Sequence, residues 1–174
     1  MTRQALLVID LLRDFLEPAG VLYCGEAARR IIPAVQGLLA RHREAGSLIV
    51  FPMDCHRADD KEFEMFAPHC VAGTAGAECI PEIEVRPGEL RLAKTRFSAF
   101  FRTDLERILA EAGVEEVHVS GVCTSICVMD TVSDLRNRDY MVVVHETAVA
   151  DFDPEAHALA LKRMKNTLGA RVEP

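Results

Sequence analysis

No stretch of the 174-residue sequence approaches the roughly 18 consecutive apolar residues of a membrane span, and no part of it repeats or falls to low complexity. The six cysteines, Cys24, Cys55, Cys70, Cys79, Cys123 and Cys127, include no Cys-x-x-Cys pair, and the short apolar start at Ala5–Ile9 lacks the pattern of a signal peptide. A reduced, cytoplasmic protein is the expectation. Positive charge is in deficit too: 20 Lys and Arg against 27 Asp and Glu leave a formal charge of −7, which repels phosphate backbones and anionic membranes. Neither nucleic acid nor a membrane is expected as a partner. No Gly-x-Gly-x-x-Gly follows the first apolar run, which removes the usual dinucleotide cradle.

What is present describes a soluble globular chain, 49% hydrophobic and 27% charged. One domain spanning residues 1–174 can bury roughly 70% of its unfolded surface and needs no staple. Apolar, β-branched runs recur at Ala5–Ile9, Leu48–Met53, Leu90–Ala93, Val117–Val122 and Met141–Val144, mostly without alternation, as in strands covered on both faces. Helical spacing lies between them. Ile31, Val35, Leu38 and Leu39 form one stripe ending at Gly46, with Pro33 marking its start or a kink. Leu105, Ile108, Leu109 and Ala112 form another, opened by a Thr103-x-x-Glu106 capping box and closed by Gly113. A third helix is expected from Thr124 to about Arg138, and a fourth after the Asp153-Pro154-Glu155 start signal. The alternation predicts an α/β fold, a doubly wound, mostly parallel sheet with helices on both faces and ligands at the carboxyl ends of its strands. The segment 54–89 is long, irregular and rich in Pro, Gly, His and Cys, which marks it as functional.

Three reactive side chains stand where apolar runs end: Asp10, Lys94, and Cys127 just inside the following helix. In a parallel sheet those ends share one edge, so a carboxylate, an ammonium and a thiol can converge as an activated nucleophile. A helix N-terminus and a nearby lysine both favour thiolate. Singly, a cysteine in an apolar helix is a small core residue and an aspartate after a strand a turn former. Asp54-x-His56, with Glu62 and His69 downstream, offers imidazole and carboxylate ligands suited to zinc, manganese or iron; histidines in a loop are equally read as exposed or hydrogen-bonded. His42, His118, His145 and His157 read as surface or structural residues.

The ordered motifs Val8-Ile9-Asp10-x-x-x-Asp14-Phe15, Asp54-x-His56, Pro68-His69-Cys70-x-x-Gly73-Thr74-x-Gly76, Lys94-Thr95-Arg96-Phe97-Ser98-Ala99-Phe100 and Gly121-Val122-x-Thr124-x-x-Cys127-Val128 resemble those of nicotinamidases among the isochorismatase-like cysteine hydrolases. The tail Lys165–Ala170 fits the same pattern. The resemblance implies a six-stranded parallel sheet, a catalytic triad of Asp10, Lys94 and Cys127, and a cis peptide between Val122 and Cys123. It also implies an oxyanion hole from the amides of Cys123 and Cys127. One divalent metal ion, zinc in the first place or else manganese or iron, would be held by Asp54, His56 and His69, and Glu62 matches a carboxylate that joins the metal shell in some members. Phe15 and Phe66 would sandwich the ring of a small amide substrate, nicotinamide first among them, in a homo-oligomer. Phe66 replaces a common tryptophan and Leu12 or a neighbour a common glutamine, which alters pocket width. The alternatives are another amide or carbamoyl hydrolase of the superfamily, or a catalytically silent binding protein on this fold. Cys24, Cys55, Cys70 and Cys79 receive no role.

Overall fold

The computed structural model describes residues 3–174. Strands β1 (Gln4–Ile9), β2 (Leu48–Asp54), β3 (Leu90–Lys94), β4 (Glu116–Val122), β5 (Met141–Ala150) and β6 (Arg171–Glu173) form one sheet in the order β3-β2-β1-β4-β5-β6, every pairing parallel. Successive residues of β1 serve opposite faces: Leu6 and Val8 join one core, Ala5, Leu7 and Ile9 the other. This is why the strand reads as an unbroken apolar run. Helices α1 (Arg13–Leu16), α2 (Gly25–Arg30) and α3 (Ile32–Glu44) cover the first face, and α4 (Leu105–Glu111), α5 (Met129–Arg136) and α6 (Pro154–Asn166) the second. The chain winds outward from β1 to β3, then returns to β4 on the other side of β1. The gap between the carboxyl ends of β1 and β4 is therefore the topological switch point, where such sheets bind ligands. Among the described residues no helix is long and apolar enough to cross a membrane.

Most helix signals act as read. Pro33 occupies the first turn of α3, where its missing N–H costs nothing, and Gly46 closes that helix with φ of 66°. The Asp153 side chain accepts from the amides of Glu155 and Ala156 at the head of α6. The capping box at α4 forms on the threonine side only, where the Leu105 amide donates to Thr103 Oγ1 at 3.3 Å. Thr103 points its hydroxyl back to Ala99 O, and Glu106 is drawn 3.1 Å from Arg138, whose charge outweighs an amide. The third helix begins not as α but as a π turn, Thr124–Val128, in which Val128 N donates to Cys123 O at 3.2 Å, and it ends at Arg136 rather than Arg138. Helices α1 and α2 carry too few apolar repeats to be seen in the sequence.

Gly121 lets the two strands flanking the switch point approach. Its φ is 121°, it pairs with Ile9, and a Cβ there would overlap the Ile9 carbonyl. Gly121→Ala is expected to cost roughly 2–4 kcal/mol and lower the melting temperature by about 5–15 °C. Gly37→Ala, exposed on α3 with open space around the new methyl, is expected to add about 0.5–1 kcal/mol. Denaturation of the two variants reads both signs, and a Gly121→Ala protein as stable as the parent would contradict the close approach.

Candidate active site

Asp10, Asp54 and Lys94 come from the carboxyl ends of β1, β2 and β3, neighbours in the sheet, and Cys127 from the turn after β4. Asp10 takes a positive φ of 54° as its amide donates to Pro52 O, and its Oδ1 accepts from the Asp54 amide at 2.8 Å. The β2–β3 register pairs Asp54 with Lys94. Lys94 Nζ then lies 2.8 Å from Asp10 Oδ2, 2.6 Å from Asp54 Oδ1 and 3.5 Å from Cys127 Sγ. The three residues singled out at strand ends thus meet around one ammonium. The Val122–Cys123 peptide is cis, and the π turn that follows carries Cys127 on its inner side.

The charges in this cluster are mutually dependent. Burial alone would lower the pKa of Lys94; Asp10, Asp54 and Cys127 reverse this and raise it well above the usual lysine range. Burial and the neighbouring Asp54 push the Asp10 carboxyl up to about 7, against the pull of Lys94. Burial, with Asp10 and Asp54, also pushes the Cys127 thiol well above its ordinary range, more than Lys94 can offset. The helix terminus and Lys94 favour the thiolate, while burial first and then the two carboxylates beside the sulfur oppose it. One lysine cannot stabilise three anions at once.

On the other side of Asp54, four buried side chains converge. Asp54 Oδ2, His56 Nε2, Glu62 Oε1 and His69 Nε2 lie within 4.8 Å of one another, with imidazole–carboxylate separations of 3.7–3.9 Å. Each histidine is oriented from behind: His56 Nδ1 faces Asp60 Oδ2 at 3.2 Å, and His69 Nδ1 faces Ala67 O at 2.9 Å. Both Nε2 atoms are left to point at the centre. His56 Nε2 is buried without a protein hydrogen-bond partner, and Glu62 turns Oε1 to the centre while its Oε2 lies 3.7 Å from Arg96 Nη1. Two imidazoles and two carboxylates with unspent lone pairs fit a divalent cation such as zinc, manganese or iron.

Asp60, unmarked in the sequence reading, organises this cluster. It starts the 3-10 turn Lys61–Glu64, accepts from the Glu62 amide at 2.9 Å and meets Arg96 Nη1 at 2.8 Å. Burial would raise its carboxyl; the Glu62 amide, His56 and Arg96 instead hold it down at about 2. The Asp-x-Glu spacing of a turn cap was the available signal. Asp151 was also silent in the sequence, and its Oδ2 accepts from the Ser125 amide at 2.7 Å; His157, which reads there as surface or structural, lies with Nδ1 2.9 Å from Thr124 Oγ1. Both brace the turn that bears Cys127.

A cavity of about 390 Å³ opens onto Cys127, Asp54, Glu62 and His69, with Phe15 and Phe66 among its walls. Phe15 and Phe66 flank His69 at ring-centroid separations of 5.5 and 6.2 Å. Tyr23, Phe97 and Phe152 complete the aromatic lining. Phe97 belongs to the Lys94–Phe100 motif; Phe152, alone on a loop and 61% exposed, has no periodic neighbour to mark it. Asp10 and Lys94 sit behind the wall.

The model of the Isochorismatase domain matches residues 4–173. Among solved structures the chain resembles a nicotinamidase/pyrazinamidase from Bacillus subtilis at 39% identity, with a TM-score of 0.95 and coverage of 99% of this chain and 100% of that one. It resembles a pyrazinamidase of Pyrococcus horikoshii, solved in complex with zinc, at 32% identity and a TM-score of 0.92, over 98% of both chains. An N-carbamoylsarcosine amidase from Thermoplasma acidophilum shares 30% identity at a TM-score of 0.90, over 99% and 96% of the two chains.

If Asp60 orients His56, removing it weakens metal binding without touching a ligand. Asp60→Ala is expected to reduce zinc affinity by about 10–100-fold in chelator competition. Unchanged affinity would mean that His56 is held by its packing alone.

Proposed function

The chain belongs to the isochorismatase family, whose solved neighbours include amide hydrolases, and from that premise we propose that it hydrolyses nicotinamide to nicotinate and ammonia through a thioester on Cys127. One observation carries the reading: a single aromatic-walled cavity presents a buried thiol beside a cluster of metal-type donors. A pyridine carboxamide has the two matching features, an electrophilic carbonyl and a ring nitrogen with a free lone pair. The segment 54–89 is then the metal-site loop of a hydrolase domain spanning 1–174. The chain's setting on this reading is a cytoplasmic homo-oligomer acting on a small amide. An amidase that acts on carbamoyl groups is the second reading, favoured by the likeness to N-carbamoylsarcosine amidase; it leaves His56, Glu62 and His69 without a purpose.

On this reading Asp10 is the base for the Cys127 thiol, supported by the contact both make with Lys94 Nζ. Substrate slides between Phe15 and Phe66 with its carboxamide over Cys127. Asp54, His56, Glu62 and His69 would hold a divalent ion, which when bound would supply Lewis acidity to orient a ring nitrogen. Asp10 takes the Cys127 proton as the sulfur attacks the carbonyl carbon, and the amides of Cys123 and Cys127 hold the oxyanion, each such donor being worth about 3–4 kcal/mol. Asp10 passes that proton to the departing nitrogen, which leaves as ammonia. The carboxylate then deprotonates a water that attacks the thioester, and the proton returns to Cys127 as nicotinate is released. Lys94 keeps its charge throughout and offsets whichever neighbour is anionic.

Because the first step needs Asp10 unprotonated, kcat/KM is expected to fall on the acid side of a midpoint near about 7, where burial and Asp54 place that carboxyl. A pH–rate profile flat from pH about 5 to 8 would remove Asp10 as the base.

Substrate choice separates anchoring from chemistry. Ammonia release from nicotinamide is expected to exceed that from benzamide, which has the same amide but no ring nitrogen, by about 100-fold or more, and Cys127→Ala is expected to abolish both. Equal rates on the two amides would leave the carbamoyl or general amide hydrolase as the better reading, and activity in Cys127→Ala would displace the nucleophile.

A further inference from the structure

Two thiols with no part in that mechanism face each other across the cavity wall. Cys24, at the head of α2, and Cys123, between β4 and the π turn, hold their Sγ atoms 3.3 Å apart, and both line the cavity that contains Cys127. Neither is bridged. Their side chains are buried, with 3% and 9% of the residue surfaces exposed, so the cavity is the route by which a small molecule reaches them. Cys24 directs its proton to Leu22 O at 3.4 Å, which leaves Cys123 to donate to the Cys24 sulfur. Cys24 is thus the acceptor sulfur of the pair. A disulfide needs its sulfurs about 2.05 Å apart, a short closure from the distance already present.

We propose that Cys24 and Cys123 form an oxidation site at which a small peroxide entering the cavity joins them in a disulfide that closes the cavity to substrate, and that thiols reopen it. The peroxide O–O bond breaks as one oxygen bonds to Cys24 sulfur; hydrogen peroxide leaves water, and Cys24 becomes a sulfenic acid. Cys123 sulfur then attacks Cys24 sulfur, the S–S bond forms, and the S–O bond breaks. The expelled hydroxide takes the Cys123 proton as a second water. Two thiols are oxidised by two electrons and one peroxide is reduced to two waters. The bridge reaches the substrate path because the Cys24 segment is tied to α1. Leu22 N donates to Asp14 O at 3.0 Å and Cys24 N to Phe15 O at 2.8 Å. Drawing Cys24 toward Cys123 therefore pulls the Val21–Cys24 wall and Phe15 toward the turn that bears Cys127.

The test treats the intact protein with hydrogen peroxide and maps its peptides by mass spectrometry without reduction, then measures how fast iodoacetamide alkylates Cys127. The expected result is a loss of about 2 Da in a peptide pair joining Cys24 to Cys123, absent from Cys24→Ser and from Cys123→Ser. Alkylation of Cys127 in the bridged protein is expected to slow by about tenfold or more and to recover after dithiothreitol. A bridge between Cys123 and Cys127, oxygen addition at Cys127 with Cys24 and Cys123 still reduced, or a Cys24–Cys123 bridge that leaves Cys127 equally reactive would each overturn the proposal. The mass readout uses no substrate, so it stands whether or not nicotinamide is hydrolysed.

Discussion

The structure around this site depends on one buried ammonium. Lys94 is withdrawn from water at the end of β3, and a lone charge in that position would be intolerable without compensation. Asp10 and Asp54 provide it from the two strands alongside, at 2.8 and 2.6 Å. The three residues therefore hold β1, β2 and β3 in register at their carboxyl ends. Burial, with the same negative partners, pushes the nearby thiol above its ordinary range, so the carboxylate that neutralises the lysine also bears on the titration of the thiol. Structural compensation and acid–base capacity are one arrangement.

Topology explains why these residues can meet at all. β1 is the hinge of the winding order, with β2 on one side and β4 on the other. Asp10 leaves one flank of the switch point and the cis-linked Cys123 leaves the other, and Gly121 allows the separation between them to be small. A side chain at Gly121 would push β4 away from Ile9 and move the π turn with it. The cavity between Phe15 and Cys123 is the space this winding leaves open.

The sequence made legible what is periodic or terminal. Strand ends carrying Asp10, Lys94 and Cys127 stood out because charge or sulfur interrupts an apolar run, and a doubly buried sheet produces such runs by necessity. Asp54, His56, Glu62 and His69 were visible as ligand types in an overlong loop. Asp60, Asp151 and Phe152 were not. Their roles depend on residues distant in the chain, such as Arg96 for Asp60 and Ser125 for Asp151, and no local spacing encodes such a meeting. The upward push on the Cys127 thiol is illegible for a related reason: the helix terminus and the lysine are local or inferable, whereas full burial and the combined effect of two carboxylates exist only once the strands are assembled.

Asp54 belongs to both halves of the site, with Oδ1 on Lys94 and Oδ2 toward His56 and His69. The consequence concerns how such a protein can be altered. His56, Glu62 and His69 can be exchanged for other side chains to suit a different ligand while the lysine keeps both counter-charges. Residue 54 has no such freedom, because any change made there for the sake of what is bound also shifts the charge balance around the buried thiol. A designer wishing to retarget the pocket would leave that carboxylate in place and vary the ring of residues beyond it.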